Sequence, residues 1–94
     1  MKLRRLGSAG PVVSAIGLGA GSTTTDFGLR DDAVQIATMQ RAIDLGVTFF
    51  DTADVYGNRG TAEEYLGKAL GARRRDVIVA TKFAGPMSPD QPWM

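Results

Sequence analysis

A chain of 94 residues has room for one domain, and at this size folding covers only roughly 60 to 65% of the surface of the unfolded chain. A formal net charge of +1, with acids and bases interspersed, excludes a broad electrostatic footprint for nucleic acid or an anionic membrane. The absence of cysteine and histidine removes disulfides and the commonest metal ligands, so no metal site is expected.

Met1-Lys2-Leu3-Arg4-Arg5-Leu6 has the charge of an export signal's opening, but Gly7, Ser8, Gly10, Pro11 and Ser14 break the chain after it before any sustained apolar stretch. No apolar run approaches the roughly 20 residues that span a bilayer, so a soluble, cytoplasmic protein is expected. Lys2 to Leu6 and Val12 to Val13 flank the turn-forming Gly7-Ser8-Ala9-Gly10-Pro11, which predicts a β-hairpin set as a lid or plug ahead of the main fold. Ala15-Ile16-Gly17-Leu18 reads as a first buried strand, and Gly19 to Arg30 as a long loop whose glycines suit a close backbone approach to a ligand.

Ile36, Met39 and Ile43 recur on one face, with Ala33 beside them, predicting a helix from about Asp32 to Leu45. Asp31 or Asp32 can cap its start, and Gly46 can end it in a left-handed conformation. Val47 to Phe50 has the β-branched and aromatic character of a strand buried on both faces. Thr61-Ala62-Glu63-Glu64 fits a capping box, which opens a second helix running to about Leu70 and stopping at Gly71, with Tyr65, Leu66 and Leu70 on its apolar side. Arg73, Arg74 and Arg75 come next, where positive charge complements the helix dipole. Val77 to Thr81 is the third strand, and the glycine and prolines from Phe83 to Met94 predict loop.

The order hairpin, βα, βα, β places a strand about every 30 residues, which points to an α/β fold with a parallel sheet and crossover helices. Three parallel strands leave open edges and two helices cover little, so the arrangement matches the opening of a (β/α)₈ barrel, which needs around 250 residues. In such folds the carboxyl ends of the strands share one face, and Asp51, Tyr56 and Lys82 all fall at or just beyond those ends. A lysine ammonium beside a phenol favours proton release from it, and a carboxylate beside the ammonium keeps it charged and in place. Singly, each residue has a plainer reading: a loop aromatic, an acid satisfying loop N–H groups, a solvated strand end. The composite of apolar strand, acid, short loop, tyrosine and a lysine after the next strand is far more specific.

The chain resembles the aldo-keto reductase family. The likeness runs through Leu6-Gly7, Val13-Ser14, Ile16-Gly17-Leu18-Gly19, Ala42-Ile43-Asp44-Leu45-Gly46, Phe50-Asp51-Thr52-Ala53-Asp54-Val55-Tyr56-Gly57, Glu64-Tyr65-Leu66-Gly67-Lys68-Ala69-Leu70 and Ala80-Thr81-Lys82. The resemblance implies a (β/α)₈ TIM barrel that reduces aldehydes and ketones with NADP(H), using an Asp, Tyr, Lys and His set. Asp51, Tyr56 and Lys82 match the first three, with Tyr56 the proton donor. Gly19, Ala20 and Gly21, together with Asp51, match the side of the site that meets the nicotinamide. The family's histidine and its adenosine phosphate loops lie beyond the third strand, so residues 1–94 are expected to be the N-terminal portion of a reductase domain, with weak cofactor binding and no turnover by themselves. A Rossmann loop at Gly17-Leu18-Gly19-Ala20-Gly21 fails, because the GxGxxG pattern meets Ser22 or Thr24 where it needs glycine. The competing expectation is a noncatalytic interaction module that reuses the reductase opening and pairs through its strand edges.

Overall fold

The computed structural model describes residues 1–21, 31–84 and 90, except for the side chains of 58 and 59. The expected loop from Gly19 to Arg30 falls outside the described residues from position 22 onward, as do positions 85–89 and 91–94 of the C-terminal segment.

Two antiparallel strands, β1 (Leu3–Arg5) and β2 (Val12–Ser14), form the expected hairpin with Leu3 opposite Ser14 and Arg5 opposite Val12. Gly7 takes a φ of 69°, open to glycine at little cost, and the Leu6 amide donates to the Pro11 carbonyl across the turn at 2.9 Å. The hairpin is fastened to the rest of the molecule by a reciprocal pair. The Ser14 amide donates to Thr48 Oγ1 at 2.8 Å and the Thr48 amide donates to Ser14 Oγ at 2.9 Å, with Ser14 almost fully buried.

The second sheet holds β3 (Leu18–Gly19), β4 (Phe49–Asp51) and β5 (Ile78–Ala80), all parallel and in that spatial order. Thr48 stands at the amino end of β4, so the hairpin plugs the end of the sheet opposite to Asp51 and Ala80. The first parallel strand is later and shorter than the expected Ala15 to Leu18. Ala15 gives its amide to the Lys2 carbonyl, and Ser14 Oγ donates to the Ile16 carbonyl at 2.7 Å, so these backbone groups serve the hairpin and leave Ile16 exposed.

Helix α1 (Asp32–Asp44) starts as expected: Asp31 accepts from the amides of Ala33 and Val34 at 2.9 and 3.3 Å. It ends before Gly46, which has a φ of 96°. Met39 is fully buried, with Ile36 and Ile43 half-buried beside it; Ala33 is exposed, and Gln35 takes the buried position instead. Helix α2 (Tyr56–Leu70) begins five positions before Thr61, so the Thr61 to Glu64 box lies inside it and does not open it. Gly57 and Gly60, at φ of 64° and 107°, depart from right-handed geometry within its opening turns, a departure that glycine makes at little cost. A 3₁₀ segment, Gly71–Asp76, comes directly after α2 and carries the three arginines; Arg73 pairs with Asp44 at the end of α1 at 2.7 Å.

Side chains alternate across the sheet, so Leu18, Phe50 and Val79, which are register partners, face the helices. There Phe50 and Met39, both without exposed surface, pack with Val47, Ala62, Leu66, Ala69, Leu70 and Val77. The opposite face carries Phe49, Asp51 and Ile78 and is covered only in part, so β4 is not buried on both faces as its composition suggests. A cleft of about 450 Å³ separates that face from the hairpin, lined by Arg4, Val13, Gly17, Gly19, Phe49 and Asp51 among others. The architecture is α/β: a hairpin, then βαβαβ with three parallel strands and two helices.

Candidate active site

Asp51 is the last residue of β4, and Lys82 lies two positions beyond β5. Because the strands are parallel and adjacent, with Asp51 paired to Ala80, both side chains leave the same end of the sheet. Lys82 Nζ donates to Asp51 Oδ1 at 2.7 Å and to the Thr52 carbonyl at 2.9 Å, and lies 4.9 Å from the centroid of the Tyr56 ring. Tyr56 sits on the first residue of α2, where the sequence suggests a loop; its amide reaches the Ala53 carbonyl at 3.2 Å and its side chain is half-buried. Carboxylate, ammonium and phenol therefore converge at one rim.

The rim is tied together by backbone as well. The Thr52 amide donates to the Ala80 carbonyl at 2.8 Å, and the Asp54 amide donates to the Lys82 carbonyl at 3.1 Å. Lys82 is thereby fixed at both its main chain and its tip by the segment 51–54 that leads into Tyr56. The Asp51 carboxylate raises the Lys82 pKa above the usual 10.5; loss of hydration opposes this, and the Tyr56 hydroxyl supports it through a hydrogen bond. Lys82 is thus a cation at neutral pH.

On the β3 side, Gly19 is exposed, and a Cβ placed there would meet none of the described residues within 4 Å. Gly21 lies against the phenol, since a Cβ on it would stand 3.2 Å from Tyr56 Cδ2 and Cε2. Ala20 differs from both. It has no exposed surface, belongs to the core, and gives its amide to the Asp51 carbonyl at 2.8 Å. Its place at the rim is therefore one of support to the backbone of β4. Two participants escape a reading of the sequence: the Thr52 carbonyl, which has no residue-type signal, and Thr81, whose hydroxyl donates to Glu63 and ties the end of β5 to α2.

Residues 15–94 match the family model for the Aldo/keto reductase family. The chain belongs to the aldo/keto reductase family. It is 49% identical over 88 residues to L-galactose dehydrogenase of Arabidopsis thaliana, covering 87% of this chain and 26% of that protein. It is 44% identical over 95 residues to a probable voltage-gated potassium channel subunit beta of Oryza sativa, covering 96% of this chain and 28% of the relative. An aldo-keto reductase from Bacillus halodurans, solved in its holo form, superposes with a TM-score of 0.84 at 37% identity, over 100% of this chain and 30% of that one. The chain thus spans about a quarter to a third of the length of these relatives, and it corresponds to part of the (β/α)₈ barrel of the solved aldo-keto reductases it matches. Among the described residues no helix is long and apolar enough to cross a membrane.

Proposed function

We propose that this sequence forms the N-terminal portion, residues 1–94, of an NAD(P)H-dependent oxidoreductase domain that reduces aldehydes or ketones to alcohols. The observation that carries the proposal is the Lys82 ammonium, held by Asp51 and Thr52 beside the Tyr56 ring. When bound, the nicotinamide cofactor supplies a hydride to the carbonyl carbon. The chain's own part is the proton: Tyr56 Oη protonates the carbonyl oxygen as the C–H bond forms, and Lys82 stabilises the phenolate left behind. Asp51 keeps Lys82 charged and aimed, so its role is to orient the ammonium. The residues present fit a cofactor at this rim, because Gly19 and Gly21 leave backbone alone next to Asp51 and Tyr56, while Ala20 holds that stretch against β4. Adenosine phosphate contacts are assigned to none of the described residues.

The decisive experiment replaces the matching segment of the Bacillus halodurans relative with this sequence and monitors NADPH oxidation with simple aldehydes. The chimera is expected to turn over, and Tyr56→Phe to lower kcat by roughly 10² to 10⁴, the range that general acid catalysis supplies. The 94-residue chain by itself is expected to give no turnover above background. A chimera that folds but leaves NADPH unoxidised, or one indifferent to Tyr56→Phe, would refute the reading.

A second reading, a noncatalytic subunit that binds a partner through its sheet edges, is favoured by the likeness to a plant protein named as a channel subunit. A defined oligomer of the 94-residue chain with sharp thermal unfolding, alongside a folded but inactive chimera, would support that alternative.

A further inference from the structure

We propose that Gly21 is a positioning residue for the Tyr56 phenol: the lack of a side chain at 21 sets where the ring rests, beyond any part Gly21 plays toward a cofactor. The catalytic consequence rests on Tyr56 as proton donor; the contact itself does not. A Cβ built on Gly21 would lie 3.2 Å from Cδ2 and Cε2 and 3.4 Å from Cζ of Tyr56, inside ordinary van der Waals separation. A side chain there requires one partner to give by a few tenths of an ångström.

The surroundings determine which partner gives. Gly21 comes directly after Ala20, which is fully buried and hydrogen-bonded through its amide to the Asp51 carbonyl, so the backbone leading into 21 is anchored to β4. The main chain of Tyr56 is held by the hydrogen bond its amide donates to the Ala53 carbonyl at the opening of α2. The phenol ring, half-buried and turning about its own side-chain torsions, is the softest element of the contact. Its displacement shifts the phenol relative to Lys82, whose ammonium is held in place by Asp51 and Thr52. Gly19, two positions earlier, is a control supplied by the fold, since a Cβ there meets none of the described residues within 4 Å, Tyr56 included.

The 94-residue chain has two tyrosines, Tyr56 and Tyr65, and three lysines, Lys2, Lys68 and Lys82, so ring-labelled tyrosine and amine-labelled lysine give a short, assignable set of NMR signals. Gly21→Ala is expected to displace the Tyr56 ring and Lys82 Nζ resonances and to leave Tyr65 in place; Gly19→Ala is expected to move none of them. Tyr56 signals that stay put in Gly21→Ala, or that move equally in Gly19→Ala, overturn the proposal. If Gly21→Ala unfolds the chain, Tyr56→Ala decides the matter: a Gly21→Ala, Tyr56→Ala double variant as stable as Tyr56→Ala alone supports the contact, and a further loss in the double variant overturns it. In the chimera, Gly21→Ala is expected to lower kcat on the order of tenfold, separately from any change in the KM for NADPH. A raised KM with kcat intact would instead make Gly21 a cofactor contact only. An inactive chimera sinks the reductase reading while the NMR result stands by itself.

Discussion

The Lys82 ammonium and the Asp51 carboxylate, 31 positions apart, meet at 2.7 Å across the carboxyl ends of two neighbouring parallel strands. Both side chains are about half exposed, so the pair is screened by solvent and its chief effect is on where the ammonium sits and how firmly it keeps its proton. Asp51 is the largest of the influences that raise the Lys82 pKa above 10.5. A group whose pKa is raised by folding stabilises the fold below its unfolded value and loses that contribution as pH climbs through the folded one. Asp51→Asn is therefore expected to lower the Lys82 pKa, read from the amine resonance. The difference in melting temperature between the parent and Asp51→Asn should be constant at neutral pH and shrink above about pH 10.5. A difference that grows with alkalinity would contradict this assignment.

Thr52 contributes its carbonyl to Lys82, while its side chain has the opposite character: Oγ1 is buried and has no hydrogen-bond partner among the described residues. An unpaired buried hydroxyl costs about 1 to 3 kcal/mol relative to a satisfied one. Thr52→Val keeps the branched shape, removes the hydroxyl and leaves the main-chain carbonyl untouched. It is expected to raise stability to denaturant by about 1 kcal/mol without moving the Lys82 amine resonance. Destabilisation by the substitution would show that the hydroxyl has a partner after all.

The legible parts of the fold are those whose signals are local. Asp31 and Gly46 mark the two ends of α1 by side-chain oxygen and left-handed backbone, and both act in the structure as their residue types imply. Asp51, Tyr56 and Lys82 are legible as a set because parallel strands send their carboxyl ends to one rim. The start of α2 is misleading in the sequence because Thr61 to Glu64 has the form of a capping box, while the helix begins at Tyr56 and carries the positive-φ glycines 57 and 60, usually breakers, in its opening turns. Ala15 to Gly17 looks like strand because its apolar residues say nothing of where their amides and carbonyls go; the hairpin takes them. The Thr52 carbonyl and the Gly21 contact carry no residue-type signature, since both depend on distance across the fold.

Phe50 is the centre of the core, sealed under α1 and α2 with no exposed surface. Truncating a buried phenylalanine costs about 3 to 5 kcal/mol, through lost transfer energy and the cavity left behind. Small domains have roughly 5 to 15 kcal/mol in total. Phe50→Ala is expected to abolish a cooperative thermal transition and to make the chain bind a hydrophobic dye, whereas a sharp transition within a few degrees of the parent would place the core elsewhere.

Arg73 and Asp44 make the other ion pair among the described residues, equal in length to Lys82–Asp51 at 2.7 Å but joining the 3₁₀ segment to the end of α1 on an exposed surface. Equal distance does not imply equal consequence. Exposed pairs contribute about 0.2 to 1 kcal/mol, and salt weakens them further. Arg73→Ala is thus expected to shift the denaturant midpoint only slightly, by an amount that vanishes in molar salt, and to leave the Tyr56 and Lys82 signals where they are. Asp51→Asn should move both sets of signals at either salt concentration, because Lys82 then loses its carboxylate partner and faces only neutral acceptors, the Thr52 carbonyl and the Tyr56 hydroxyl among them. If Arg73→Ala disturbed the rim as strongly as Asp51→Asn, the two pairs would belong to one coupled network, and the local account of how Lys82 is held would fail.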